Sequence, residues 1–514
     1  MSIRLNRRRT VASVATGAAL ATALLTGHTN ATASAAAEPV STPVPIATPE
    51  GVVSSYLLNA KQANPGQTRL VERAVEQAGG VVVQSWPQIG VVVAHAQVAT
   101  FRDDVRAAGG NAVDSVGATR TVPVSEGTPD GVQSPWGPGA SGYKKEATKD
   151  ANGDVGSEAT IAAVNDPREA EQWDMQMIKA DQAHEITDGN RNVLVGVLDS
   201  GIDPDHADLA ANIDVDDSVY CTDAGRPDTS ATGWWPTTSD HGTHVAGTIA
   251  AARNGVGIVG VAPNVRMASV KVVNDAGFIY PEYAVCGFIW AGQHHMDVTN
   301  NSYYVDPFMY YCEDQSDQYA AKEAVRRAVA WSTDRGVVHA AAAGNAATDL
   351  SNNTTDTTSP DDSKAITRTL NSGCEDIPTE LDGVVTVSSM QRFPAGTMES
   401  RLSSFSNRGL GKIDVAAPGS TILSTIIKDP VTGAENTYGT KSGTSMASPH
   451  VAGVLALMKS VHPTWSPAEM VAKLRAQADD KPCGTATAGP ACVGPVEDNS
   501  YFGEGVVDAL DAVS

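Results

Sequence analysis

The sequence predicts an α/β fold in which helices flank a doubly wound, mainly parallel sheet, preceded by a small α+β unit. Four apolar, mostly valine-rich runs in the second part of the chain each have the length of one buried strand. Helical patterns separate the runs, as in a parallel sheet whose strands are joined by crossover helices. The domain that holds them, residues 166–514, is long enough for one large core. The runs are residues 193–198, 267–273, 337–342 and 384–388.

The small unit is predicted over residues 54–124. Helical patterns at 67–77 and 99–108 alternate with strand candidates at 79–83 and 89–94. Such an alternation over roughly 70 residues is typical of a compact α+β unit.

The first 37 residues (1–37) predict a secretory signal peptide. Arginines precede an apolar run at 11–25, small residues follow it, and the run is too short to span a membrane. We therefore expect a secreted, extracellular protein whose mature form is not inserted in a membrane. Whether Arg8 and Arg9 direct twin-arginine rather than Sec export stays open. Segments 38–53 and 125–165 have linker compositions, and the second is expected to be exposed and cleavable.

The charge and the cysteine content of the chain argue against nucleic-acid binding and against metal or redox sites made of cysteines. The formal net charge is −23, from 59 acidic and 36 basic residues, and such a chain repels the phosphates of nucleic acids. Six cysteines in an exported chain favour disulfides over metal or redox sites. Cys483 and Cys492 flank a short loop and are predicted to pair. The other four allow three pairings, which stay open: Cys221, Cys286, Cys312 and Cys374.

Three polar side chains stand in separate motifs that suit nucleophilic catalysis. Ser445 follows a glycine turn at the start of an apolar helical pattern, Asp199 ends a strand run, and His241 begins a helical pattern. A serine nucleophile needs a base within hydrogen-bond reach, and that base needs an orienting partner. Taken alone, each residue is more typical of a turn, a surface position or a helix cap, so the prediction depends on all three together.

The motifs resemble those of the subtilisin-like (subtilase, S8) serine proteases, from about residue 166 to the end of the chain. The order Asp, His, Ser along the chain is the order found in that family. The resemblance implies Ser445 as nucleophile, His241 as general base and Asp199 as the group that orients the imidazole. It also implies that Asn345 and the Ser445 backbone N–H stabilise the oxyanion, and that catalysis needs no cofactor.

The resemblance further implies a groove in which the substrate lies as an extended strand between two protein segments. Tyr304 stands where the family usually has glycine, and its ring points either into the groove or towards solvent. The sequence does not choose between these, so the side-chain preference of this subsite stays open. The implied substrate-binding residues are Gly277, Phe278 and Ile279 on one side, with Ser302, Tyr303, Tyr304, Ala342, Ala343 and Gly344 on the other.

A structural calcium site is implied beside the helix that begins at His241. Asp208 matches a calcium ligand of many relatives, and a loop of the family's length follows the helix. Oxygen ligands of this kind suit calcium. His244 makes a His-x-x-His pair with His241, but no carboxylate or cysteine follows at zinc-ligand spacing, so packing is the expected role. The remaining implied calcium ligands are Asn254 and the carbonyls of Ala252, Val256 and Ile258.

The predicted function is that of a secreted serine endopeptidase that hydrolyses peptide bonds of proteins or peptides through an acyl-enzyme intermediate. Residues 54–124 resemble the inhibitor-like (I9-type) prodomain of these proteases, which implies a monomeric, self-inhibited precursor matured by autoproteolysis. Two alternatives are a narrow-specificity processing protease and an inactive homologue that binds peptides. An acyl-transferase using the same residues is a third, and it would need water excluded from the site.

Overall fold

The computed structural model describes residues 39–124, 165–428, 434–484 and 491–514. The predicted signal peptide at 1–37 and nearly all of the predicted linker at 125–165 lie outside these residues. None of the helices in the described part of the chain has the length and apolar character needed to cross a membrane.

The N-terminal unit is an antiparallel sheet of four strands, in the order β2-β3-β1-β4, with two helices. Asn64 caps the first helix by accepting the Gln67 N–H at 2.9 Å, and the helix buries a stripe that includes Val71 and Val75. This stripe has the spacing of an amphipathic helix. The elements are β1 (Ser54–Ala60), α1 (Pro65–Gln77), β2 (Val81–Trp86), β3 (Val91–Ala96), α2 (Phe101–Gly109) and β4 (Val113–Ala118).

The large domain is built on a sheet that contains nine of the described strands. The strand order is β16-β15-β11-β9-β5-β8-β6-β7, with β17 also paired to β15. All pairings are parallel except those of the edge strands β16 and β7. The predicted α/β class is therefore confirmed. The sheet strands are β5 (Leu194–Asp199), β6 (Val219–Asp223), β7 (Arg226–Asp228), β8 (Arg266–Lys271), β9 (Val298–Asn301), β11 (Val338–Ala342), β15 (Val384–Arg392), β16 (Ser400–Leu402) and β17 (Val415–Pro418).

Helices cover both faces of this sheet. In β5, Val195 and Val197 face a core shared with α5 and α8, whereas Leu194 and Leu198 face a core shared with α6 and α7. This alternation is why the strand has no polar side chain before its last residue, Asp199. The helices are α3 (Trp173–Met177), α4 (Ala180–Ala183), α5 (His241–Ala250), α6 (Pro281–Gln293), α7 (Ser316–Thr333), α8 (Thr444–Val461) and α9 (Pro467–Ala476). Short pairs outside the main sheet are β10 (Tyr311–Cys312) with β14 (Cys374–Glu375), β12 (Thr355–Asp356) with β13 (Arg368–Thr369), and β18 (Ile422–Lys428) with β19 (Glu435–Lys441).

The N-terminal unit packs against α6 and α7 of the large domain. Asn59 Nδ2 donates to the Ala320 carbonyl at 2.8 Å, and the Ala118 N–H donates to Asp317 Oδ1 at 2.9 Å. Gly117 permits this close approach, since a Cβ there would lie 2.6 Å from the Asp317 Cα. The last strand of the unit is thereby held directly on α7.

Three disulfides join the six cysteines. The predicted pair Cys483–Cys492 is confirmed. For the other four cysteines the structure selects one of the three open pairings, Cys221–Cys286 with Cys312–Cys374. The Cys312–Cys374 bridge joins the short strands β10 and β14, beside the loop that follows β14.

Candidate active site

Asp199 and His241 form a hydrogen-bonded pair at the carboxyl edge of the sheet. Asp199 is the last residue of β5 and is fully buried, while His241 is the first residue of α5. His241 Nδ1 lies 2.9 Å and 3.0 Å from the two carboxylate oxygens of Asp199. Since the carboxylate only accepts, Nδ1 carries the hydrogen and Nε2 is left as the acceptor. That is the tautomer a general base requires.

Gly242 makes this pairing sterically feasible. A Cβ at this position would lie 2.5 Å from the Gly201 carbonyl and 3.1 Å from the Asp199 side chain. Only glycine therefore lets α5 begin so close to the end of β5. The glycine in the Asp-His-Gly motif has a packing role that its place in the sequence alone does not show.

Ser445 is the second residue of α8 and follows the turn at Gly443. Its hydroxyl donates to the Ser302 carbonyl at 3.2 Å, and its carbonyl accepts the Ser302 hydroxyl at 2.8 Å. In this state the structure gives no hydrogen bond between Ser445 and His241, both of which are described. The hydroxyl must leave the Ser302 carbonyl before it can reach the imidazole.

Asn345 presents its amide N–H₂ on the same side as the Ser445 backbone N–H. Its Oδ1 accepts the Thr444 N–H at 2.8 Å and the Thr444 hydroxyl at 2.9 Å, which fixes the orientation of the amide. A Cβ placed on Gly443 would lie 3.6 Å from both Asn345 Nδ2 and the Ser445 nitrogen. Two donors thus border one small space, as oxyanion stabilisation requires.

A cavity opens beside Ser445 and brings together most of the predicted substrate-binding residues. Ser302, Tyr303, Tyr304, Ala342 and Gly344 line it together with Asn345. Ala343 does not, because it is fully buried and its carbonyl accepts a hydrogen bond from Asn407. Four lining residues were missed by the sequence analysis: Met309, Asp376, Asn407 and Thr444.

The sequence model of the Subtilase family matches residues 190–505, which include Asp199, His241, Asn345 and Ser445. The chain belongs to the subtilase family. Subtilisin DY from Bacillus licheniformis is 32% identical over 340 residues, which make up 65% of this chain and 96% of that protein. Subtilisin E from Bacillus subtilis (strain 168) is 34% identical over 340 residues, which are 66% of this chain and 70% of that protein.

Solved structures show the same fold for nearly the whole of this subtilase. Fervidolysin from Fervidobacterium pennivorans matches 92% of the chain with a TM-score of 0.61 and 23% identity, and the match spans 64% of fervidolysin. The epidermin leader peptide processing serine protease of Staphylococcus aureus matches 90% of the chain with a TM-score of 0.60 and 19% identity. The match spans 98% of that structure. The predicted family and fold are confirmed, and the substrates of this subtilase are proteins or peptides.

In the first predicted groove segment of this subtilase, residues 277–279, the backbone N–H groups donate hydrogen bonds to other residues of the same domain. The N–H groups of Gly277 and Phe278 donate to the carbonyl and side chain of Asn274, and the Ile279 N–H donates to Asp306. In the state described, these N–H groups are not available to an incoming strand. The substrate-binding role of residues 277–279 stays a prediction.

Tyr304 takes the inward of the two positions considered from the sequence alone. Its ring lines the cavity beside Ser445, and its hydroxyl donates to Asp361 Oδ2 at 2.6 Å. Asp361 is itself buried. The side chain therefore forms a fixed wall of the subsite.

Two other histidines of this subtilase, His244 and His339, are fully buried and form hydrogen bonds inside the domain. The ring of His244 lies 3.0 Å from the Ile422 carbonyl, and burial lowers its pKa to about 3. His339 lies between the hydroxyls of Thr299 and Ser332, and burial likewise lowers its pKa to about 3. Both rings are therefore neutral at ordinary pH. Among the described residues there is no cluster of three or more His, Cys, Asp or Glu arranged to hold a metal ion.

Two of the implied calcium-binding residues contact Asp208: the Ala252 N–H donates to its carbonyl at 2.7 Å, and the Ile258 N–H donates to its side chain. Asp208 is fully buried, its Oδ2 accepts the Ile258 N–H at 3.0 Å, and its Oδ1 accepts no hydrogen bond from the described residues. Asp166 is similarly buried and also leaves one carboxylate oxygen without a hydrogen bond. Two such oxygens suit a hard cation. The amide of Asn254 would have to turn, because its Nδ2 donates to the Ala207 carbonyl and its Oδ1 accepts the Val256 N–H.

Proposed function

We propose that this chain is a secreted serine endopeptidase, made as a self-inhibited precursor and matured by autoproteolysis. The observation that carries the proposal is the pairing of His241 with Asp199 on the same edge of the sheet as Ser445 and Asn345. Membership of the subtilase family shows that the chain is a serine protease, whereas the endopeptidase activity, the secretion and the maturation are our inferences.

The arrangement supports acyl transfer in two steps. Ser445 Oγ attacks the scissile carbonyl carbon while His241 Nε2 takes its proton, and Asp199 stabilises the imidazolium that forms. The oxyanion accepts hydrogen bonds from Asn345 Nδ2 and the Ser445 N–H. The C–N bond then breaks, His241 gives the proton to the leaving amine, and water hydrolyses the acyl-enzyme by the same route. No cofactor takes part in these steps.

The contacts of the N-terminal unit support its role as an inhibitory prodomain. Arg120, just after β4, is buried against the carboxylate of Glu282, the second residue of α6, and its guanidinium lies 3.8 Å from the ring centre of Tyr280. Thr121 donates its N–H to Asp362 Oδ2 at 2.8 Å. The chain thus leaves the unit along the side of the domain that carries Tyr304 and Asp361. Residues 54–124 would hold this surface until the 125–165 linker is cut, after removal of the signal peptide 1–37.

A covalent probe tests the activity. A fluorophosphonate should label the mature protein, and Ser445→Ala should abolish both labelling and cleavage of a denatured protein substrate. Ser332→Ala is the matched control, because Ser332 is a buried serine outside the cavity. A chain that folds but is not labelled would instead be the inactive peptide-binding homologue.

Maturation is tested with the same variant. Full-length Ser445→Ala, expressed without other proteases, should keep residues 54–124 attached, whereas the unsubstituted chain should lose them. A mature-sized product from the purified variant would refute autoproteolysis.

Narrow specificity, the second candidate, is favoured by the acidic side chain in the cavity beside Ser445.

A further inference from the structure

Asp376 lines the same cavity as Ser445 and Asn345. It lies two residues beyond Cys374, whose disulfide to Cys312 anchors the loop, and its N–H donates to Glu380 Oε2 at 2.8 Å. A Cβ on Gly344 would lie 3.5 Å from Asp376 Oδ2. The carboxyl group therefore lies next to Gly344, the residue directly before the oxyanion donor Asn345.

Among the residues that the structure describes, none with a positive charge pairs with this carboxyl group. Asp376 is 3% exposed, and its Oδ1 accepts no hydrogen bond from the described residues. The nearby charges are acidic, from Glu380 and Asp356, and burial together with these charges raises the pKa of Asp376 well above its usual range. The basic residues that pair with these two acids do not neutralise Asp376, since Lys412 pairs with Glu380 and Arg368 pairs with Asp356.

An unpaired buried carboxyl is costly, so a site that keeps one has a use for it or is completed by a ligand. We propose that Asp376 makes this pocket select a cationic side chain, lysine or arginine, in the substrate residue immediately before the scissile bond. The inference rests on the proposed endopeptidase activity and names its substrate class.

The other walls of the pocket suit the stem of such a side chain. Tyr304, Met309 and Ala342 line the same cavity and supply apolar surface there. Lysine and arginine bury their methylene stems against such surface while the charged end reaches a polar partner. The Tyr304 hydroxyl is engaged by Asp361 and so does not satisfy Asp376. The net charge of −23 would also attract cationic substrates over longer distances.

The test uses mature enzyme and a set of peptides that differ only in the residue before the cut: Arg, Lys, Gln, Leu, Phe and Glu. We expect kcat/KM for Arg and Lys to exceed that for Gln and Leu. A buried charge-assisted hydrogen bond predicts that Asp376→Asn lowers the Arg-to-Gln ratio on the order of 10- to 100-fold. Asp382→Asn, an exposed acidic residue six positions later, should leave the ratio unchanged.

A binding measurement separates recognition from turnover. Benzamidine, a flat aromatic cation, should inhibit the enzyme competitively, and Asp376→Asn should weaken that inhibition at least tenfold. A labelled, active enzyme that shows no preference for basic residues, or whose ratio is unchanged in Asp376→Asn, overturns the Asp376 inference and leaves the peptidase intact. A folded preparation that is neither labelled by fluorophosphonate nor active on any peptide overturns both.

Discussion

Ser302 and Ser445 exchange two hydrogen bonds across the active site. The Ser445 hydroxyl donates to the Ser302 carbonyl at 3.2 Å, and the Ser302 hydroxyl donates to the Ser445 carbonyl at 2.8 Å. The Ser445 carbonyl is available because the residue four positions later in α8 is Pro449, which has no N–H to donate. Because of the proline, this helix carbonyl can accept a hydrogen bond from Ser302, which lines the pocket.

The first prediction concerns this anchor. Ser302→Ala should lower the free energy of unfolding by about 1–2 kcal/mol, because it leaves the Ser445 carbonyl buried without a partner. In a Pro449→Ala background the restored N–H satisfies that carbonyl, so the same substitution should cost less. Denaturant unfolding of the four chains gives the coupling free energy. A cost that is equal in both backgrounds would show that Pro449 and Ser302 are independent.

The second prediction concerns the oxyanion donors. Asn345→Leu should lower kcat about 100-fold or more with little change in KM, the loss known for such a donor in a subtilisin. Thr444→Val should give a smaller loss of kcat, because the amide remains but its orientation is no longer fixed by the Thr444 hydroxyl. Steady-state kinetics on one peptide measures both. A loss confined to KM would contradict the assignment of Asn345.

The parts of the site with local signals were predictable from the sequence. Asp199, His241 and Ser445 each lie at the end of a regular element, inside a motif that predicts that end. Asn345 follows β11 in the same way. Disulfide pairing was predictable only for Cys483 and Cys492, whose loop is short enough to define it.

The rest depends on contacts between segments far apart in the chain. Asp376 lines the cavity but lies in a loop without a motif, directly after β14, which pairs with the distant strand β10. Similarly, nothing near Tyr304 in the sequence indicates that Asp361, 57 positions away, accepts its hydroxyl hydrogen. Strand β9 was missed because its polar residues, among them Asn300, are buried by side-chain hydrogen bonds rather than exposed.

The third prediction concerns the hold of the N-terminal unit. Arg120→Ala leaves Glu282 buried and without its cation, which should destabilise the full-length Ser445→Ala chain by about 3–5 kcal/mol. In the active chain the same substitution should speed the appearance of mature protein. Arg69→Ala, at an exposed position of α1, is the control. If both variants unfold and mature alike, Arg120 does not hold the unit in place.

The fourth prediction concerns calcium at Asp208. A chelator should lower the melting temperature, because an ion that binds only the folded state stabilises it, by about 2.7 kcal/mol at 100 times its Kd. The Asp208→Asn chain should melt at the same temperature with chelator or with calcium. Differential scanning calorimetry in EGTA and in excess calcium makes the comparison. A native chain that melts identically in the two solutions does not bind the ion at a stabilising site.

The fifth prediction concerns pH and the acidic groups behind Tyr304. Burial raises the pKa of Asp361 to about 6, and Asp306 and Asp362 face it. Because the folded pKa exceeds the unfolded value of about 3.9, folding favours the neutral carboxyl. The resulting stability is complete below about pH 4 and is lost as the pH rises to about 6.

In full-length Ser445→Ala protein, this group should therefore account for a loss of about 2 kcal/mol between pH 4 and pH 6.5. Asp361→Asn should remove that part of the loss while still accepting the Tyr304 hydrogen bond, whereas exposed Asp382→Asn should not. Urea unfolding at both pH values measures the difference. Parallel pH profiles for the parent and Asp361→Asn chains would mean that the carboxyl group is ionised in the folded protein throughout this range.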